Sequence, residues 1–84
     1  MTTTVSLRYF AAVREAAGVE SEERVADSIA TALEQAGADH GAEFTRLVGI
    51  SSLLLDGVAV PKEQTAAPLA GDAKVDVLPP FAGG

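Results

Sequence analysis

The chain has 84 residues, of which twelve are acidic and six basic, giving a formal net charge of −6. It contains no cysteine, which excludes a disulfide framework, a thiolate nucleophile and a cysteine-built zinc site. The basic residues Arg8, Arg14, Arg24, Arg46, Lys62 and Lys74 are scattered, which argues against a nucleic-acid partner, and no apolar run approaches the roughly 18 residues of a membrane span. A domain this short buries only about 60% of its extended-chain surface. Its start, "MTTTVSLRY", lacks the basic head and apolar core of a secretory signal, so a cytoplasmic location is expected.

Along the chain, "TTTVSLRYF" alternates: Val5, Leu7 and Tyr9 share one side of a strand, and Ser6, Arg8 and Phe10 the other. "AAVREAAG" reads as a two-turn helix stopped at Gly18 and held by packing of Val13 and Ala17. "ESEERVAD" is acidic and then weakly strand-like, which predicts a short edge strand over 24–26. Asp27 or Ser28 is placed to cap a helix with Ile29, Leu33 and Ala36 on its inner face, ending at Gly37. "ADHGA" then reads as a loop, and Phe44, Leu47 and Val48 as the inner face of a second short helix ending at Gly49.

"SSLLLDGVAV" carries a hairpin signal, since Asp56-Gly57 suits a type I′ turn. That turn faces Leu55 with Val58 and Leu53 with Val60, all four toward the core, and leaves Ser52, Leu54 and Ala59 outside. Pro61 ends the second arm, "KEQTAAPLAGD" is an irregular connection, and "AKVDVL" is the last strand, with Val75 and Val77 inward and Asp76 and Leu78 outward. The order predicts an α+β domain over 1–78, with a small mixed sheet of about five strands and helices on one face.

The remaining stretch, 79–84, is predicted to be an extended tail. Pro79 and Pro80 lack N–H donors and restrict the residues before them, so pairing stops and the chain leaves the sheet straight. From Pro79 to Gly84 it reaches at most roughly 20 Å, and Gly83 and Gly84 can thread a narrow channel. Phe10, Leu54, Ala59 and Leu78 all fall outward by alternation, the composition of a partner-binding patch. The alternative is that Phe10 tucks under a loop and Leu54 joins the core. His40, the only histidine, reads as ordinary surface, and Glu20, Glu22 and Glu23 as a solvated acidic face rather than a metal cluster. No Gly-rich loop followed by Lys and Ser or Thr is present, so no ATP site of the chain's own is expected.

"YFAAVREAAG", "LLLDG", "PLAGDAKVDVLPP" and "FAGG", in that order and spanning nearly the whole chain, resemble the MoaD/ThiS ubiquitin-like sulfur carriers, most of all the small subunits of molybdopterin synthases. The resemblance implies a β-grasp fold. It implies that an E1-like adenylyltransferase uses Mg-ATP to adenylate the Gly84 carboxylate, that a sulfur donor converts the adenylate to a thiocarboxylate, and that a large synthase subunit, in a heterotetramer, takes up the tail. Two carriers then act in turn to sulfurate cyclic pyranopterin monophosphate in molybdenum cofactor biosynthesis. The carrier itself would be non-catalytic, with no bound cofactor or metal. The resemblance also implies that Phe10, Ala59 and Leu78 form the docking patch and that Pro79, Pro80, Phe81, Ala82 and Gly83 occupy the partner's channel. Ala59 is smaller than the family's usual residue there, and Phe81 larger. Related readings are a carrier for thiamin thiazole, cysteine or tRNA thiolation, a covalent modifier joined through Gly84 to lysines, or an interaction domain with an idle tail.

Overall fold

The computed structural model describes residues 3–80. Its elements are β1 (Thr3–Tyr9), α1 (Ala11–Ala17), β2 (Ser21–Ala26), α2 (Ile29–His40), α3 (Ala42–Gly49), β3 (Ser52–Leu55), β4 (Val58–Ala59), a 3-10 turn (Lys62–Gln64) and β5 (Ala73–Leu78). They form one five-stranded sheet in the order β2-β1-β5-β3-β4. β1 and β5 run parallel at its centre, and every other neighbouring pair is antiparallel. A parallel pair needs a long crossover, and here the whole chain between β1 and β5 supplies it.

One sheet face is covered. Val5, Leu7 and Tyr9 of β1, Leu53 of β3, and Val75 and Val77 of β5 point to it, as alternation requires. They share one core with Val13 of α1, Ile29, Ala32 and Ala36 of α2, and Phe44 and Leu47 of α3. The helices therefore lie on a single face, as predicted. Val58 does not join them: it lies opposite Leu55 in the hairpin but is 68% exposed. It sits on the two-residue edge strand, where no helix covers it.

Local chemistry sets the element ends. Asp56 and Gly57 have φ of 49° and 86°, the doubly positive pair of a type I′ turn, which closes the predicted hairpin register. The Ser28 hydroxyl accepts from the Thr31 amide at 3.1 Å and caps α2. At the end of α3, the Lys62 ammonium donates to the Val48 and Gly49 carbonyls, satisfying acceptors that the helix leaves open.

Two predicted boundaries differ. β2 spans Ser21–Ala26 rather than 24–26, because β1 pairs with all six residues; exposed charged positions carry little intrinsic strand signal, and the ladder decides. α2 continues through Gly37 to His40, so Ala38–His40 are helical rather than loop. Gly37 permits close helix packing: a Cβ there would meet Thr45 Oγ1 of α3 at 2.6 Å.

Candidate functional site

The uncovered sheet face is built by the other half of the alternation. Arg8 aligns with Asp76, Asp76 with Leu54, and Leu54 with Ala59, so these four form a row across four strands. Phe10 follows β1 with extended backbone, φ −126° and ψ 148°, which keeps it on the side of Arg8. The Arg8 guanidinium carbon lies 5.1 Å from the Phe10 ring centroid. Leu78 stands two residues beyond Asp76 on the same face, opposite Ser52. Phe10, Leu54 and Leu78 are half-buried and Ala59 is exposed. All four predicted patch residues thus share one face, but Arg8 and Asp76 stand among them.

Directly after Phe10, Ala11 has φ of 51°, an uncommon value for a residue with a Cβ. This kink turns the chain from β1 into α1 while leaving Phe10 on the outer side. No sequence signal marked it.

β5 carries the chain to the end of this face. Pro79 is buried and Pro80 exposed. Pro79 continues the parity of Ala73, Val75 and Val77, all buried, so its ring packs on the core side at the root of the segment that follows. β5 ends at Leu78, and the two prolines follow it directly. Phe81, Ala82, Gly83 and Gly84, expected to form the working tail, lie outside the described residues.

A second group of polar side chains sits at the rim of the core, and sequence reasoning missed it. Glu22 of β2 accepts from the Tyr9 hydroxyl at 2.5 Å and the Arg24 guanidinium at 2.7 Å, and it bonds His40 Nε2 at 2.6 Å. Arg24 also donates to Asp39 at 2.5 Å. The Tyr9, Phe44 and His40 rings pack together, with centroids 5.0–6.2 Å apart. Burial pushes the Tyr9 phenol up, and its bond to Glu22 pushes it further, so Tyr9 stays a donor. Burial also opposes the Glu22 charge, but hydrogen bonds from Tyr9 and His40 and the charges of Arg24 and His40 outweigh it and hold that carboxyl below its ordinary value. Arg24 is pushed down by burial and raised on balance by Asp39 and Glu22. His40 and Glu22 are therefore parts of a half-buried tie between β1, β2 and α2, not the free surface and solvated face expected. The signal lies in pairing across 13 to 18 residues, which spacing alone does not reveal. Among the described residues no three His, Cys, Asp or Glu side chains are grouped to hold a metal.

The fold is that of the ubiquitin-like β-grasp proteins: a mixed sheet with helices on one face, and the last strand at its centre. The ThiS family model matches residues 7–84. The chain belongs to the ThiS family, and its fold is that of the ThiS/MoaD-like sulfur carriers.

Solved structures agree on the fold. Small archaeal modifier protein 1 from Methanosarcina acetivorans superimposes with a TM-score of 0.84 at 19% identity, covering 100% of this chain and 99% of that one. A putative molybdopterin converting factor subunit 1 from Pyrococcus furiosus gives 0.75 at 23% identity, with 94% and 99% covered. A complex of subunits 1 and 2 of the molybdopterin-converting factor from Helicobacter pylori contains a chain matching at 0.67 and 20% identity, with 98% and 100% covered. No curated protein matches in sequence. No helix among the described residues is long and apolar enough to cross a membrane.

Proposed function

We propose that this chain is the sulfur-carrying small subunit of a molybdopterin synthase, whose reacting group is the Gly84 carboxylate. The observation that carries this reading is positional: Phe10, Leu54 and Leu78 stand on an uncovered face beside the point where the exposed Pro80 leads out of β5. A protein seated there would have the tail at its own active site. The likeness to molybdopterin converting factor subunits, one of them in complex with a second subunit, supports a large-subunit partner.

In the proposed chemistry an E1-like enzyme aligns the Gly84 carboxylate with the α-phosphorus of Mg-ATP. Carboxylate oxygen attacks, pyrophosphate leaves, and a glycyl adenylate forms. A donor persulfide (R–S–S⁻) then displaces AMP and forms an acyl disulfide. A thiol attacks the donor-side sulfur, the S–S bond breaks, the donor leaves as a mixed disulfide and the thiocarboxylate is freed. The carrier supplies the reacting backbone group and a rigid handle, while its partners supply the catalytic side chains. Gly83 and Gly84 place no side chain near the attacked carbon, which suits a narrow channel.

The test is reconstitution with the E1-like enzyme, Mg-ATP and a sulfur source, read by intact mass. The expected result is exchange of one oxygen for one sulfur at the C terminus. Deleting Gly84 should abolish the exchange and molybdopterin formation while leaving the fold unchanged. A Gly84-deleted chain that still supports molybdopterin formation would overturn the reading. The likeness to small archaeal modifier protein 1 supports a second reading, a covalent modifier. Lysine-linked conjugates dependent on Gly84, without sulfur exchange, would establish that one instead.

A further inference from the structure

The bare face is interrupted by charge at a defined place. Arg8 of β1 aligns with Asp76 of the parallel β5 and grips it through two bonds, Nε to Oδ1 at 3.0 Å and Nη2 to Oδ2 at 3.3 Å. The guanidinium also lies near the Phe10 ring. A planar group held on one side by a carboxylate and near an aromatic ring has its remaining edge fixed in direction. That edge, Nη1, makes no hydrogen bond among the described residues, and the Arg8 side chain is 63% exposed against 21% for Asp76. The pair borders the apolar residues on two sides: Leu54 and Ala59 continue its row across the sheet, and Phe10 and Leu78 lie one same-face step further along β1 and β5.

An exposed ion pair adds little to stability, so staple strength alone does not account for its place in an apolar patch. Its consequence appears when a partner covers it. A wholly apolar surface laid on this face would strip water from Arg8 and Asp76 and leave the unused Arg8 donors without acceptors, which is costly. A surface that brings a carboxylate to the Nη1 edge completes the guanidinium's bonding in two directions. The same group thus favours one class of partner and penalises another.

We propose that Arg8, braced by Asp76 and Phe10, is the specificity-determining residue of the docking face: it selects a partner protein that presents one acidic side chain within an otherwise apolar contact. This rests on the docking face of the proposed function and adds the chemistry of its occupant. The chain's net charge of −6 makes the location informative. Overall it disfavours acidic partners at long range, and Arg8 offers an opposite sign where contact is made.

The experiment uses the full chain as substrate for the E1-like enzyme and reads ATP–pyrophosphate exchange as separate KM and kcat values. The key variant is Arg8→Leu with Asp76→Leu, which replaces the ion pair by an apolar cross-strand pair and extends the apolar patch across β1 and β5. The proposal predicts that the natural chain's KM rises with salt, and that in the double variant KM is about tenfold higher, kcat is unchanged and the dependence on salt is lost. Arg8→Lys, which keeps the charge and loses the fork, should give a smaller rise and retain the salt dependence. If the double variant does not fold, Arg8→Gln carries the same prediction. A KM that stays constant or falls in the folded double variant, or in Arg8→Gln, overturns the proposal. Phe10→Ser separates the two levels: an unchanged KM there removes the docking face itself, and Arg8's role with it. Absence of any exchange with the natural chain counts instead against activation at Gly84.

Discussion

The two faces of the sheet are made from the same strands by the same alternation, yet they differ in what their side chains do. On the helix-covered face, Val5, Leu7, Val75 and Val77 are sealed, and the polar groups at its rim are tied to one another. On the other face, Phe10, Leu54 and Leu78 remain half-buried with no helix above them, and the polar pair among them leaves a donor edge unused. One face holds the molecule together, and the other is the proposed docking face. Stability should therefore respond to changes on the first and binding to changes on the second.

The largest expected loss is in the core. Phe44, fully buried against Tyr9 and His40, should cost about 3–5 kcal/mol on truncation to Ala. For a domain this small that removes most of the native population in urea or thermal unfolding. Next comes the Glu22 tie, where Glu22→Gln should cost about 1–3 kcal/mol at neutral pH. Because the native carboxyl titrates below its unfolded value, its contribution is present above about pH 4.3. It is lost as pH falls through the depressed native value. The natural chain should lose stability over that acid range, and the variant should lose less. An equal acid slope in both chains would show that Glu22 is not the group concerned.

A smaller effect is expected between the helices. Gly37→Ala forces a Cβ onto Thr45 Oγ1 and should cost about 1–2 kcal/mol. Adding Thr45→Ala should recover that cost, since Ala is the better helix former. Failure of the double variant to recover would mean that another contact sets the close approach. The smallest change in stability is expected on the bare face, where Phe10→Ser and Leu78→Ser should each shift unfolding by about 1 kcal/mol or less while weakening partner binding. If these two destabilise as much as Phe44→Ala, the contrast between the faces fails.

Much of this division could be read from the chain because it is local. Alternation in β1 and β5 assigns Val5, Leu7, Val75 and Val77 inward, and Asp56-Gly57 sets the hairpin register. The same parity, carried one step past Val77, places Pro79 inside, although its missing N–H ends the pairing there. What could not be read depends on partners distant in sequence. β2 is a strand through six residues because β1 pairs with it, not because "SEERVA" favours extension. Helical continuation through Gly37 rests on its fit against α3. The Glu22 tie and the Arg8–Asp76 pair require registers that join residues up to 68 positions apart, which composition and spacing do not encode. The Ala11 kink has no residue-type signal either.

The most direct test of the contrast is amide chemical-shift mapping of the labelled full chain, with and without the E1-like enzyme. The account predicts broadening or shifts at Arg8, Phe10, Leu54, Ala59 and Leu78, with Leu33, Ala38 and Val48 on the helical side unaffected. Shifts confined to the α2–α3 side, with the bare sheet face unchanged on binding, would contradict it.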